Sequence, residues 1–156
     1  MAHRPLTSVS NPFAPEATLE RHADSALTGI IVVVGRALFA FIFILAGPRL
    51  FQQGSIQAAA QHGFPLPQVF VPAAGAIAIA GGLSILLGFR ARIGACLIAL
   101  FLLVVTPVMH NFWAIADPAA AQTQLVNFMK NVSMLGGALL ITQFGAGPWS
   151  LDARRK

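Results

Sequence analysis

Four apolar stretches, each seventeen to twenty-one residues long, dominate this sequence: 27–47, 69–89, 93–109 and 126–144. A helix rises 1.5 Å per residue, and about 20 apolar residues cross the roughly 30 Å of bilayer hydrocarbon. Inside lipid a spanning segment must satisfy its own backbone, which leaves helices and closed barrels. Continuous runs of this length select the helix. Only Arg90, Ala91 and Arg92 lie between the second and third runs, so those two form an antiparallel hairpin. The sequence therefore predicts an all-α fold, a four-helix transmembrane bundle running up-down-up-down. Composition agrees: 56% of residues are hydrophobic and 10% charged, against roughly 25% charged in soluble domains.

The ends of the chain read differently. Residues 1–26 form an N-terminal tail, mobile over 1–14. A short surface helix begins at Pro15, a residue suited to the first helical position. Residues 27–147 are the membrane domain and 148–156 a basic C-terminal tail. The first run is too long for the apolar part of a signal peptide, and no small-residue cleavage site precedes a polar start. A net charge of +5 raises the question of nucleic acid. No basic stripe with interleaved aromatics supports it, so nucleic acid is excluded as a partner. The cations collect instead at the ends of the apolar runs, where loops meet the bilayer. Arg4, Arg21, Arg90, Arg92, Arg154, Arg155 and Lys156 fall on one side; Arg49 is on the other, with Lys130 just inside the fourth run. The positive-inside rule then places both termini in the cytoplasm of a bacterium, with loops 48–68 and 110–125 outside the inner membrane.

Small residues mark where helices approach closely. Ala74, Ala78 and Gly82 recur every four positions, with Gly75, Ala76 and Gly81 beside them, and Ala91, Ala95 and Ala99 repeat the pattern. Cys96, the single cysteine, lies within an apolar run and reads as a small hydrophobe.

Polar residues within the runs carry the functional signal. Arg36 lies nine residues into the first run, about 14 Å deep, and no Asp or Glu occurs between Asp24 and Asp117. It either snorkels, or bonds to carbonyls and an incoming ligand. Gln124, Asn127 and Asn131 share one helical face, with Lys130 at its edge. His110, Asn111 and Trp113, after Pro107, end the third run at the same level. Arg49, Gln52 and Gln53 end the first there too. Three helices thus bring polar groups to one outer mouth, either as a ligand site or as an interfacial girdle. The candidate ligand-binding residues are Arg36, Arg49, His110, Trp113, Asn127, Lys130 and Asn131, with no catalytic residue assigned. His62 and His110 belong to no ligand-spaced cluster, so no metal site is expected and haem is disfavoured.

Several ordered motifs resemble the DoxX family of small bacterial four-helix membrane proteins. Gly35-Arg36 opens a span that closes on Ala46-Gly47. Gly63-Phe64-Pro65-Leu66-Pro67 follows in the first outer loop. Gly81-Gly82 precedes Leu86-Leu87-Gly88-Phe89-Arg90-Ala91-Arg92. Then come His110-Asn111-Phe112-Trp113, Asn127-Phe128-Met129-Lys130-Asn131 and Gly147-Pro148-Trp149-Ser150-Leu151-Asp152. The resemblance covers 34–152. It implies a link to quinone-reducing membrane complexes such as thiosulfate:quinone oxidoreductase. The family commonly carries Glu where this chain has Ala78, and Lys where it has Arg49; that Glu is the expected partner of Arg36. The leading expectation is a subunit of a quinone-linked oxidoreductase assembly. Its outer mouth, with Arg36 below, would hold a quinone head group, and electrons would come from membrane or peripheral partner subunits. The alternative is an accessory or scaffold subunit without a ligand. A small transporter is a third, weaker expectation, since no inverted repeat or intramembrane carboxylate is seen.

Overall fold

A computed structural model of the chain describes residues 15–155, with side chains from Ala26 onward. The tail expected to be mobile over 1–14 lies outside the described residues, as does Lys156. Five α-helices follow in order: α1 (Pro15–Ala46), α2 (Gln53–Gln61), α3 (Pro67–Leu87), α4 (Ala91–Met109) and α5 (Pro118–Phe144). Short 3-10 turns lie at Gly47–Phe51, Phe112–Ala114 and Ala153–Arg155. Among the described residues, four segments have the length and apolarity to cross a membrane: Ala26–Phe51, Pro67–Leu87, Ala91–Ala114 and Pro118–Phe144.

Three boundaries depart from the sequence reading. The helix expected at Pro15 is present, but it runs unbroken into the first span, so α1 has 32 residues and is about 48 Å long. The last span starts at Pro118 rather than 126. Asp117 caps it by accepting from the Ala120 N–H at 2.7 Å, and Pro118 sits where a missing N–H costs nothing. The first loop contains α2, which tucks Ile56 and Ala59 against Val71 of α3, with Leu50, Phe64 and Met109 alongside.

The spans pack in chain order: α1 on α3, α3 on α4, and α4 on α5, while α1 and α5 touch far less. Neighbours approach closely because α3 offers glycines on two sides. Gly82 faces Ala40 and Ile44 of α1, and Gly81 faces Gly94 and Ile98 of α4. Around these contacts lies the main core, with Ala40, Phe43, Ala78, Ile85, Ala95, Ile98, Leu102 and Ala138 buried. Phe39 bridges the two outer helices by lying against Gly137 of α5. The α3–α4 turn is tight because Gly88 takes a left-handed φ of 63°. Its N–H reaches the Ile85 carbonyl at 3.1 Å and the Phe89 N–H reaches that of Ser84 at 3.0 Å, which satisfies two end carbonyls of α3.

The molecule thus has two unlike ends. The arginine end holds Arg90, Arg92 and the segment 145–155, which folds back over it. The loop end holds α2 and the start of α5.

Candidate functional site

At the loop end, α2 lies beside the first turns of α3 and the last turns of α4 and encloses a cavity of about 180 Å³. Leu50, Ala58, Phe64, Phe70, Ala74, Phe101, Val105 and Met109 line it, with Ser55 supplying a hydroxyl. Ser55 Oγ donates to the Arg49 carbonyl at 2.8 Å, pinning α2 to the 3-10 turn that follows α1. The His62 ring, through Nδ1, bonds the Ala58 carbonyl at 2.8 Å at the far end of α2. The cavity shares Phe64, Phe70, Ala74, Phe101 and Val105 with a groove of about 280 Å³ between α3 and α4, which runs along to Ile77 and Leu97. Ala73 and Ala74 open this path because they occupy so little space. Apart from the Ser55 hydroxyl the walls are apolar, so what fits is a hydrocarbon chain rather than a polar metabolite.

The polar residues singled out from sequence fall into three places. His110, Gln124, Asn127 and Asn131 form one group on the α4–α5 side. His110 Nδ1 bonds Gln124 Oε1 at 2.7 Å. Asn127 and Asn131 are half-buried on the face of α5 that continues to Leu135 and Ala138, while Lys130 is exposed on its flank. Trp113 stands at the edge of this group, 60% exposed. Its ring packs edge-on against Phe112 and Phe128, with centroids 5.1 and 6.0 Å away. Arg49 is exposed in the 3-10 turn after α1, bordering a shallow groove with Phe41, Ile42, Leu45 and Ala46.

Arg36 is not part of the mouth. It lies at the arginine end, buried to 5% exposure. Nη1 donates to the Ala146 carbonyl at 2.9 Å and Nη2 to that of Trp149 at 3.0 Å. Counting depth from residue 27 misplaced it, because α1 overshoots its neighbours and brings Arg36 level with Gly88, where α3 ends. From that level to Asn127 is about 20 Å along the helices, by 1.5 Å per residue. A glutamate at position 78 would not have paired with Arg36 either. Ala78 is ten residues from Gly88, about 15 Å along α3, and is buried in the core. Of the two alternatives for Arg36, the structure meets the carbonyl-bonding part of the second, with backbone partners at both Nη atoms.

The sequence reading missed two features. One is the cavity, whose signal was the spacing of Ile56 and Ala59 in a short alanine-rich stretch. The other is Asp152, read as part of a basic tail. Its carboxylate accepts the Arg90 N–H at 2.7 Å and the Ala91 N–H at 3.0 Å, capping α4 from 61 residues away. Burial pushes the Asp152 carboxyl up, but the Ala91 and Arg90 amides, then the charges of Arg155 and Arg36, outweigh it and hold it below its ordinary value.

A family model described as DoxX matches residues 31–111, more than half of the chain. The chain belongs to the DoxX family. It is similar to the inner membrane protein YphA of Escherichia coli K12, 30% identical over 139 residues, which cover 88% of this chain and 99% of that protein. It is also similar to the inner membrane protein YqjF of the same organism, 32% identical over 131 residues, 81% of this chain and 92% of that one. The ER-derived vesicles protein ERV29 of Saccharomyces cerevisiae is 26% identical over 80 residues, 51% of this chain and 26% of that protein. No solved structure matches. With four apolar helices and these relatives, this DoxX protein is a multi-pass inner-membrane protein. The DoxX match holds every residue that lines the cavity, while α5 falls outside it.

Proposed function

We propose that this DoxX protein is the membrane subunit of a quinone-linked oxidoreductase assembly and holds the isoprenoid chain of a quinone in the cavity beneath α2. The observation that carries this reading is the apolar cavity continuing into the α3–α4 groove. A polyisoprenoid binds such walls through burial, at about 25 cal/mol per Å² of apolar surface. The groove lies on the exposed side of α3 and α4, where Val104, Leu97 and Leu100 are also exposed, so a chain enters sideways from lipid. The ring then sits toward the 3-10 turn and the start of α2, where Arg49, Gln52 and Gln53 are exposed and can donate to a quinone oxygen. His110 and Gln124, already bonded to each other, serve as structural glue on the far side of α4. Electrons come from a partner subunit. The arginine end faces the cytoplasm by the positive-inside rule, so the quinone is handled at the outer face.

A second reading, an accessory subunit that packs a partner, is favoured by α5, which is the least apolar and least buried of the four spans. The two are separated by purifying the protein from membranes in mild detergent and quantifying extracted quinone. Quinone is expected to copurify near one per chain, and Ala74→Phe, which fills cavity and groove at once, should lower it several-fold while the fold survives. Absence of quinone from the wild-type protein, or equal content in the variant, rejects the first reading.

A further inference from the structure

We infer that the arginine end carries a second, separate site, a pocket for the phosphate head group of an anionic phospholipid. The segment 144–153 folds over the start of α4 and bounds a cavity of about 560 Å³ with both polar and apolar walls, lined by Arg92, Phe144, Gly145, Gly147, Ser150 and Asp152 among others. That volume lies within the range of small-ligand sites. Its wall is built rather than loose. Ser150, 4% exposed, donates to the Gly147 carbonyl at 2.8 Å and accepts the Ala153 N–H at 3.1 Å. From behind, Arg36 holds the Ala146 and Trp149 carbonyls. Gly145 and Gly147 both take left-handed φ values, 80° and 70°, and the Arg92 guanidinium runs beside Gly145, where any side chain would meet it.

Charge decides the ligand's sign. Asp152 has both carboxylate oxygens aimed at the Arg90 and Ala91 amides, and its charge offsets one of the arginines at this end. Arg36, Arg90, Arg154 and Arg155 lie at the same end of the molecule without lining the cavity, so among the described residues five arginines stand against one carboxylate there and the local field stays positive. An arginine fork matches a phosphate in two-point geometry. Position decides the source. Phe144, at the lip, is 75% exposed, and it closes a span whose neighbours Leu139 and Leu140 are exposed too. The cavity therefore opens where hydrocarbon gives way to head groups. A phospholipid can place its phosphate on Arg92 and its acyl chains along Phe144 in one pose; a free phosphate uses only the first contact.

Native mass spectrometry of the full chain, released from mixed phosphatidylglycerol and phosphatidylcholine vesicles, tests this. The wild-type protein should retain phosphatidylglycerol preferentially. Arg92→Gln should lower that retention several-fold, with thermal stability in lipid-free detergent unchanged. Arg154→Gln, which removes the same charge outside the cavity, should leave retention near wild type. Equal retention of both lipids overturns the proposal, and so does an Arg154→Gln loss as large as that of Arg92→Gln, which would mean a diffuse field. Millimolar inorganic phosphate should not displace the lipid; displacement would identify a soluble-anion site instead. If Arg92→Gln fails to fold, Arg92→Lys in lipid binding substitutes for it: the charge stays and the fork is lost, so undiminished retention there also overturns the proposal.

Discussion

Arg36 gives up hydration and receives two backbone carbonyls, each bond to a charged donor being worth about 1.5–3 kcal/mol. What it holds is the C-terminal segment, so its loss should be felt there first. Arg36→Leu is expected to lower the thermal midpoint and to speed amide exchange at residues 146–152, with Arg36→Lys a poor rescue because a single ammonium cannot span both carbonyls. Unchanged exchange in Arg36→Leu would show that the segment is held by other contacts. Asp152 is the complementary residue. Its carboxyl titrates below the ordinary 3.8 when folded. A depressed folded value means that the ionised form stabilises the native state above the ordinary value. That contribution fades as pH falls from about 3.8 through the lowered one. Asp152→Asn should therefore be less stable than wild type at neutral pH, by about 0.5–2 kcal/mol as for a lost helix cap. The gap should close on acidification, which melting curves across pH 2–7 would reveal.

Among the elements, α3 carries the closest packing. A Cβ at Gly81 would stand 3.0 Å from the Gly94 carbonyl oxygen and 2.8 Å from Ile98, and a carbonyl in a helix cannot step aside. Gly81→Val should thus force α3 and α4 apart and cost about 1–3 kcal/mol or more, measured as a lower melting temperature; a neutral result would mean that the hairpin can slide. This contact was legible in the sequence, because Gly81-Gly82 and the four-residue alanine spacing state directly which faces come together. The spans were legible for a similar reason, since hydrocarbon imposes length and apolarity. The start of α5 was not. Residues 118–125 are mostly alanine and amides, neutral in hydropathy, and their helicity is set by the Asp117–Pro118 start rather than by burial. Nor was α2 legible, being nine residues long and dependent on packing against Val71 for its face. The cavity was not legible either, because the polar residues were grouped by helical level. Level says nothing about which side of α4 a residue occupies, and that is what separates the His110 group from the cavity.

For the whole molecule, orientation is the first thing to test. In a Cys96→Ala background, a cysteine at Ala116 should react with a membrane-impermeant thiol reagent on intact spheroplasts, and one at Ala153 only after permeabilisation; the reverse pattern would invert the topology. A second consequence follows from the order of packing. The spans share one core, but α1 and α5 touch far less than chain neighbours do, with Phe39 lying on Gly137 between them, so the bundle has its loosest seam there. Tight contacts on every side would fix the girth of such a bundle; a loose seam leaves part of it to the lipid packed alongside. Bilayers differ in thickness and in how hard they press on what they enclose. The distance between the first and last spans is then a property shared between this protein and the membrane it sits in.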